Sequence, residues 1–224
     1  LSSAGEPAAG VAPALVGGGA LVLFVLLVVH QRRTPHRLVP SALLRDRTIV
    51  LGNLATGLTA TSFQVGLWYF LTYRMQDQWG YTPIQAGLAF LPITAAIMVV
   101  NLGLTPRLMT RYAPGVLVTA GTLIAAAGLI WVAVVDHGPF VIAFLVPSVV
   151  IGIGGGLVNT PLATIVTTGV GSGDTGAASG LMNTAKQFGG AIGLAAASTA
   201  TAAAGTDTAA FVLMAAALAA VSTV

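Results

Sequence analysis

The sequence predicts an all-α, polytopic membrane protein, and its composition, its hydropathy and the positions of its charges each support that fold class. Of the 224 residues, 56% are hydrophobic and only 7% are charged, whereas soluble domains carry about 25% charged residues. The mean hydropathy is +0.92. Because a chain so poor in charge cannot cover its own surface in water, its solvent must be lipid.

Seven apolar stretches approach the roughly 20 helical residues that cross a bilayer core about 30 Å thick. We predict one transmembrane helix in each stretch, at residues 11–29, 48–73, 83–103, 115–135, 140–166, 180–204 and 208–224. No strand-like alternation competes with these helices, and an open sheet edge cannot face lipid. The first stretch is interpreted as a span rather than a signal peptide, because its arginines follow it instead of preceding it.

The basic residues predict the orientation of these helices. If the loop after the first span is cytoplasmic, eight of the nine Lys and Arg residues lie on the cytoplasmic side, and Arg74 is the exception. This asymmetry obeys the positive-inside rule. We therefore expect a multi-pass protein of the inner cell membrane with a cytoplasmic C-terminus. All six acids are expected in loops or tails, and an aromatic belt is expected at the outer end of the second hairpin, formed by Trp68, Tyr69, Tyr73, Trp79 and Tyr81.

The predicted spans divide the chain into two parts. Residues 1–47 are expected to contain one transmembrane helix and a cytoplasmic connecting loop, and residues 48–224 a six-helix C-terminal bundle. The chain begins at Leu1 without a methionine and ends at Val224 inside an apolar run. We therefore expect an incomplete protein.

The residues that could carry covalent or metal chemistry do not form a site. The three histidines lack metal-ligand spacing, and there is no cysteine. The glycine-rich run 152–157 lacks the strand and the Lys-Ser/Thr pair of a nucleotide-binding loop, and no basic cluster is interleaved with aromatics as in nucleic-acid binders. The chain is therefore predicted not to be an enzyme, to hold no cofactor or metal, and not to bind nucleic acid.

Small residues one helical turn apart have a physical use in lipid, where helices associate by close approach of their backbones. This spacing singles out Gly152, Gly156, Gly180, Gly189 and Gly193. Two interpretations stay open: plain helix packing, or a seam between helices that moves during transport.

Polar groups inside the spans supply the candidate binding residues. Gln64, between Phe63 and Trp68, combines a polar group with aromatics that suit an amphipathic substrate, and Asn159 is added to this predicted cavity. Interhelical hydrogen bonding is the alternative role for such groups. A second polar face is predicted at the cytoplasmic end of the sixth span, where Asn183, Lys186 and Gln187 are spaced i, i+3 and i+4.

Three segments together resemble a known family. Residues 176–193 read GAASGLMNTAKQFGGAIG, which resembles the segment G-x-ASGL-x-NT-x-RQ-x-GGA-x-G of the fourteen-span drug:proton antiporters. These antiporters are the EmrB/QacA-like branch of the major facilitator superfamily. Residues 81–92 read YTPIQAGLAFLP, which resembles that branch's hairpin G-x-SP-x-xAGL-x-FLP. The loop 107–115 looks like a decayed copy of the superfamily loop G-x-L-A-D-R-x-G, in which Arg111 matches, Arg107 opens the segment and Thr110 replaces the acid.

The resemblance implies that the chain is the C-terminal half of a secondary active transporter, with the last six helices forming one bundle. It implies export of small amphipathic or cationic compounds in exchange for protons by alternating access, with lipid, a small-molecule substrate and protons as partners and with protons carried by the missing N-terminal half. The alternatives are a major-facilitator carrier that takes up or exports a metabolite, a membrane-embedded enzyme, and a membrane scaffold that does not transport.

Overall fold

The computed structural model describes residues 11–33, 39–135, 138–171 and 173–223, and in these ranges the chain is almost entirely helical, without a β-strand. The chain divides into two compact units, Leu1–Ser41 and Ala42–Val224. The described part of the first unit is dominated by helix α1, Val11–Arg33. The second unit contains almost all the remaining helices and every site discussed below.

The helices of the second unit follow one another with short connections. A short helix, α2 (Ser41–Arg45), precedes a long rod at 47–78, which contains α3 (Arg47–Ala60), the π-helical segment Thr61–Phe70, α4 (Leu71–Tyr73) and the π-helical segment Arg74–Gln78. The later rods contain α5 (Pro83–Ala89), α6 (Leu91–Val99), the π-helical segment Val100–Leu104, α7 (Thr105–Met109), α8 (Pro114–Val134), the π-helical segment Val141–Leu145, α9 (Val146–Thr167), α10 (Thr175–Ala204) and α11 (Thr208–Val221).

Apart from the short α2, the described helices therefore form seven rods, in the order of the seven predicted spans. Three of the described rods are both long enough and apolar enough to cross a membrane by length and composition: Pro83–Met109, Pro114–Val134 and Val141–Thr167. Two further helices, Gly18–Gln31 and Thr208–Val221, are apolar but shorter. The rod at 47–78 extends five residues beyond the predicted end at residue 73, because the helix continues as π-helical turns through Gln78.

Local sequence signals explain where several helices start and stop. The Asp46 carboxylate caps α3 by accepting hydrogen bonds from the backbone N–H groups of Thr48 and Ile49, at 2.8 and 3.2 Å. Thr82 and Gln85 form a reciprocal capping box at the start of α5. Helix α10 ends at Gly205, which adopts φ +69°, a left-handed conformation that favours glycine.

The largest buried cluster joins all six rods of the second unit. Its buried side chains include Met75 on the second rod, Ile93 on α6, Val132 on α8, Ile151 on α9 and Ala197 on α10, and α11 contributes Phe211 and Met214. Each rod of the second unit thus has side chains in this cluster, and two smaller buried clusters, one around Leu162 and one around Ile49, lie apart from it.

Candidate substrate cavity and the residues around it

A cavity of about 220 Å³ lies between α3, the π-helical segment Thr61–Phe70, α6, α9 and α10. It is smaller than most ligand pockets, which measure roughly 300–1,000 Å³. Trp68 and Asn159 line it and are exposed, so the cavity opens at the surface of this chain. Three residues predicted from the sequence as a substrate cavity, Phe63, Trp68 and Asn159, are thus brought together.

The aromatic wall of the cavity is positioned by a glycine and by a second ring. A Cβ atom added at Gly155 would lie 2.9 Å from Cε1 of Phe63, so the absence of a side chain on α9 leaves room for the Phe63 ring. The ring of Trp68 packs at 4.6 Å from that of Phe90, tilted by 46°. The rings of Phe63 and Trp68 are each packed against the protein on one side. Their other sides are available to an apolar ligand.

The polar groups of the cavity come from three helices. Thr56 and Thr59 on α3 are buried, Asn159 on α9 is exposed, and Lys186 on α10 is half-buried. Lys186 was predicted only as part of a polar face at the end of its helix, whereas the structure places it on the cavity wall together with Met182. The fourth residue of the predicted cavity, Gln64, has a side chain that lies outside the described part of the structure.

The other two members of the predicted polar face point elsewhere. Asn183 and Gln187 are exposed and do not line the cavity, although they lie within one turn of Lys186 on α10. The i, i+3, i+4 spacing therefore places the three residues on one broad side of the helix, and only Lys186 reaches the cavity.

The glycines of α10 contact the second rod through their backbones. A Cβ atom added at Gly189 would collide with the backbone of Gly57, and one added at Gly193 would collide with Thr61. The Thr61 hydroxyl also donates a hydrogen bond to the carbonyl oxygen of Gly189 at 2.9 Å. Gly180 differs, since nothing described lies within 4 Å of the place where its Cβ would be.

The glycine run of α9 contacts a different neighbour at each position. Added Cβ atoms at Gly152 and Gly156 would lie 2.8 Å from the carbonyl oxygen of Ile93 and 2.7 Å from Cβ of Val100, so this face packs on the rod that contains α6. Gly154 faces the opposite way and contacts the backbone of α8 at Gly121. The run thus lies inside a helix and serves helix packing on several sides.

Comparison with known proteins identifies the family to which this arrangement of packed helices belongs. Residues 1–194 match the family model of the Major Facilitator Superfamily. The chain belongs to the major facilitator superfamily. This is a family of transporters rather than enzymes, and the predicted all-α, polytopic membrane fold and its multi-pass character are confirmed.

Several relatives within the superfamily are named for antibiotic export or resistance. The chain is 46% identical over 187 residues to the cephamycin export protein CmcT of Amycolatopsis lactamdurans, which covers 83% of this chain and 38% of that protein. It is 33% identical over 186 residues to the puromycin resistance protein pur8 of Streptomyces alboniger, covering 80% of this chain and 37% of the relative.

A third relative, the tetracenomycin C resistance and export protein of Streptomyces glaucescens, is 27% identical over 176 residues, covering 79% of this chain and 32% of that protein. The chain therefore matches well under half the length of each of these relatives.

The loop that resembles a superfamily motif is exposed in this chain. Arg107 lies in α7 and Arg111 lies two residues after its end, and both are exposed. The Thr110 hydroxyl, which replaces the acid of the superfamily pattern, donates a hydrogen bond to the carbonyl oxygen of Arg107 at 2.7 Å. Thr110 therefore caps the C-terminal end of α7.

Arg74 and Asp207 form a buried ion pair that the sequence does not predict. Nε and Nη2 of Arg74 donate hydrogen bonds to the two carboxylate oxygens of Asp207 at 2.9 and 2.8 Å, and Nη1 donates to the carbonyl oxygen of Val132 at 2.9 Å. Cζ of Arg74 also lies 4.9 Å from the centroid of the Phe211 ring. The pair joins the second rod, the end of α8 and the start of α11.

The expectation that all six acids lie in loops or tails is wrong for Asp77, which lies in the π-helical segment Arg74–Gln78. Asp207 does lie in the connection before α11, but it is buried there and only 4% exposed. Arg74 is also the one exception to the predicted positive-inside pattern, and the structure shows that it is paired and buried within the protein. The sequence did contain one signal of this pair. Arg74 is the single basic residue on the predicted outer side, and a basic residue in such a position needs a partner.

Proposed function

We propose that this chain is part of a secondary active transporter that exports small amphipathic compounds in exchange for protons by alternating access. The observation that carries the proposal is the cavity in which Phe63 and Trp68 offer aromatic surface beside Asn159 and Lys186. Ligand sites typically combine an apolar lining with a few polar groups in this way. The names of the relatives, which denote export of and resistance to antibiotics, support the direction of transport.

In this proposal the second unit forms the six-helix C-terminal bundle, and the helix of residues 1–47 with its cytoplasmic loop precedes it. A further bundle outside this chain completes the cavity and carries the proton. Transporter repeats of this kind bind substrate at the interface between two bundles that rock against each other. Gly189 and Gly193, whose backbones touch the second rod, are proposed to form part of the seam at which α10 moves.

Proton coupling needs a group that titrates and faces the two sides of the membrane in turn. Among the acids in the described residues, Asp46, Asp77 and Asp174 are not buried, and Asp207 is bound by Arg74. None of these four suits the role, and this supports placing the proton carrier in the other bundle.

The export proposal is tested with the full-length protein in inverted membrane vesicles. We expect uptake of amphipathic dyes driven by an imposed pH gradient, together with proton release from the vesicles. Trp68→Ala and Asn159→Ala should change the ratio of transport rates between dyes while protein abundance stays constant. Trp131→Ala, on the exposed side of α8 away from the cavity, is the matched control. Uptake that is independent of the gradient and equal in all variants would contradict the proposal.

We also propose that the protein lies in the inner membrane with the end of α11 on the cytoplasmic side. This chain has no cysteine, so single cysteines at Gly138 and Gly171 can be labelled selectively within it. The two positions lie at opposite ends of the rod Val141–Thr167. An impermeant maleimide added to whole cells should label the first position and not the second, and labelling of both would contradict this orientation.

A further inference from the structure

Lys186 is the one charged side chain among the described residues that line the cavity. Its side chain is half-buried, and the ion pair found among the described residues joins Arg74 to Asp207 and does not include it. Among these residues no hydrogen bond to Lys186 is made either. An ammonium group placed in this way keeps its three N–H donors for a partner that enters from outside.

The other polar groups of the cavity wall do not offset this charge. The hydroxyl of Thr56 donates to the carbonyl oxygen of Gly52 at 2.7 Å, and the hydroxyl of Thr59 donates to the carbonyl oxygen of Thr56 at 2.9 Å. Both hydroxyl hydrogens are therefore used within α3. The described lining contains no Asp or Glu, and Asn159 adds both amide N–H donors and a carbonyl acceptor. The part of the wall that these residues form thus carries one positive charge and no negative charge that could pair with a cation.

We propose that the cavity selects anionic amphipathic compounds, with Lys186 binding the anionic group and Phe63 and Trp68 binding the apolar body. Hydrogen bonds between an ammonium and an anionic oxygen are shorter and stronger than neutral ones. A cationic compound would meet a like charge at close range in surroundings that screen it less than water does. This inference rests on the proposed export function and narrows its substrates from amphipathic compounds in general to anionic ones.

The test uses three probes that share one aromatic body and differ in charge: 2-naphthoate, 2-naphthamide and 2-naphthylmethylammonium. Binding of each is measured by equilibrium dialysis against full-length protein in nanodiscs, with empty nanodiscs as the reference for partitioning into lipid. We expect 2-naphthoate to bind tightest. In Lys186→Met its affinity should fall about tenfold, as expected for loss of a hydrogen bond to a charged group, and that of 2-naphthamide by less than about twofold.

Two further variants control for charge and shape. Lys186→Arg should retain most of the 2-naphthoate affinity, because it keeps the positive charge. Arg45→Gln removes one positive charge at an exposed position and should leave all three affinities unchanged. The inference is overturned if wild-type protein fails to bind 2-naphthoate, or if 2-naphthylmethylammonium binds tightest. It is also overturned if Lys186→Met weakens the binding of all three probes equally, which is the result expected of a lysine with only a structural role.

Transport of the same probes by the vesicles separates this inference from the export proposal. If 2-naphthoate and 2-naphthamide are both exported, and at equal rates by wild-type protein and Lys186→Met, export stands and the selection of anions fails. If binding of 2-naphthoate depends on Lys186 but no probe is exported, the anion site stands and the export proposal fails.

Discussion

Arg74 and Lys186 are both basic residues on long helical rods of the same unit, and their surroundings differ in almost every respect. Arg74 is 1% exposed, and all three of its guanidinium nitrogens donate to acceptors on other helices. Lys186 is half-buried at the wall of a cavity and has no carboxylate beside it among the described residues.

The difference shows two uses of positive charge inside a membrane protein. A charge removed from water costs several kcal/mol unless its partners are well placed, and Arg74 meets that requirement with Asp207 and Val132. Its guanidinium therefore fixes the geometry of three helix ends. Lys186 has no such partner among the described residues, so its charge is available to a ligand. The comparison predicts that substitutions of Arg74 affect stability, whereas substitutions of Lys186 affect binding.

The largest expected effect comes from removing one partner of the ion pair. Arg74→Met and Asp207→Leu each leave the other charge buried without its counter-ion, and each should lower the free energy of unfolding by about 3–5 kcal/mol. The double variant should lose less than the sum of the single losses, because no unpaired charge remains. Unfolding of the purified protein in mixed micelles measures all three.

The matched control for this experiment is Asp77→Asn. Asp77 lies in the same π-helical segment as Arg74 but is exposed, so its neutralisation should change the unfolding free energy by less than about 0.5 kcal/mol. If Arg74→Met unfolds like Asp77→Asn, the pair does not hold the helix ends together and the contrast with Lys186 disappears.

An intermediate effect is expected at Gly189, which sets how closely the helix carrying Lys186 approaches the second rod. Gly189→Ala places a methyl group against the backbone of Gly57, and overpacking of this kind costs about 1–3 kcal/mol. Gly180→Ala on the same helix meets nothing within 4 Å and should be neutral or slightly stabilising, since alanine favours a helix over glycine by up to about 1 kcal/mol.

Thermal unfolding of both glycine variants, alongside the exposed substitution Ala195→Leu, gives the measurement. Equal melting temperatures for Gly189→Ala and Gly180→Ala would mean that the close contact between the backbones is absent in the membrane.

The smallest effect on stability is expected at Lys186 itself. Lys186→Met keeps the length of the side chain and removes a half-buried charge that has no described partner to lose, so the unfolding free energy should stay the same or rise slightly. The same variant is expected to lose affinity for anions. The informative result is therefore a loss of anion binding without a loss of stability. A loss of stability near that of Arg74→Met would show that Lys186 is held by a structural ion pair.

The sequence predicts the rods well because each rests on a local signal. Hydropathy marks the apolar stretches, and the caps at Asp46 and Thr82 fix helix starts to within a residue of the predicted ones. The close packing of Gly189 follows from its spacing to Gly193, since small residues one turn apart lie on one face.

What the sequence does not reveal depends on contacts between distant segments. Arg74 and Asp207 are separated by 133 positions, and no local pattern relates them. The distance from Gly205 predicts Lys186 at the end of its span, whereas α10 begins at Thr175, eleven residues before Lys186. Its approach to Phe63 and Asn159 depends on how α10 is rotated against α3 and α9. Gly180 shares the spacing of the packed glycines and faces open space in this chain, so spacing alone cannot identify the neighbour.

In the proposed transport cycle, the contact between Gly189 and Gly57 would serve as the pivot of α10. Where two backbones touch, a helix that tilts as a rigid rod turns about that point, and each residue moves in proportion to its distance from it. At 1.5 Å per residue, Lys186 lies about 4.5 Å from the pivot and the ends of α10 lie about 20 Å away. A tilt of about 10° would therefore shift the backbone at Lys186 by less than about 1 Å and each end by about 4 Å. In that cycle the ammonium group of Lys186 would keep its place beside the proposed anion while both ends of its helix move.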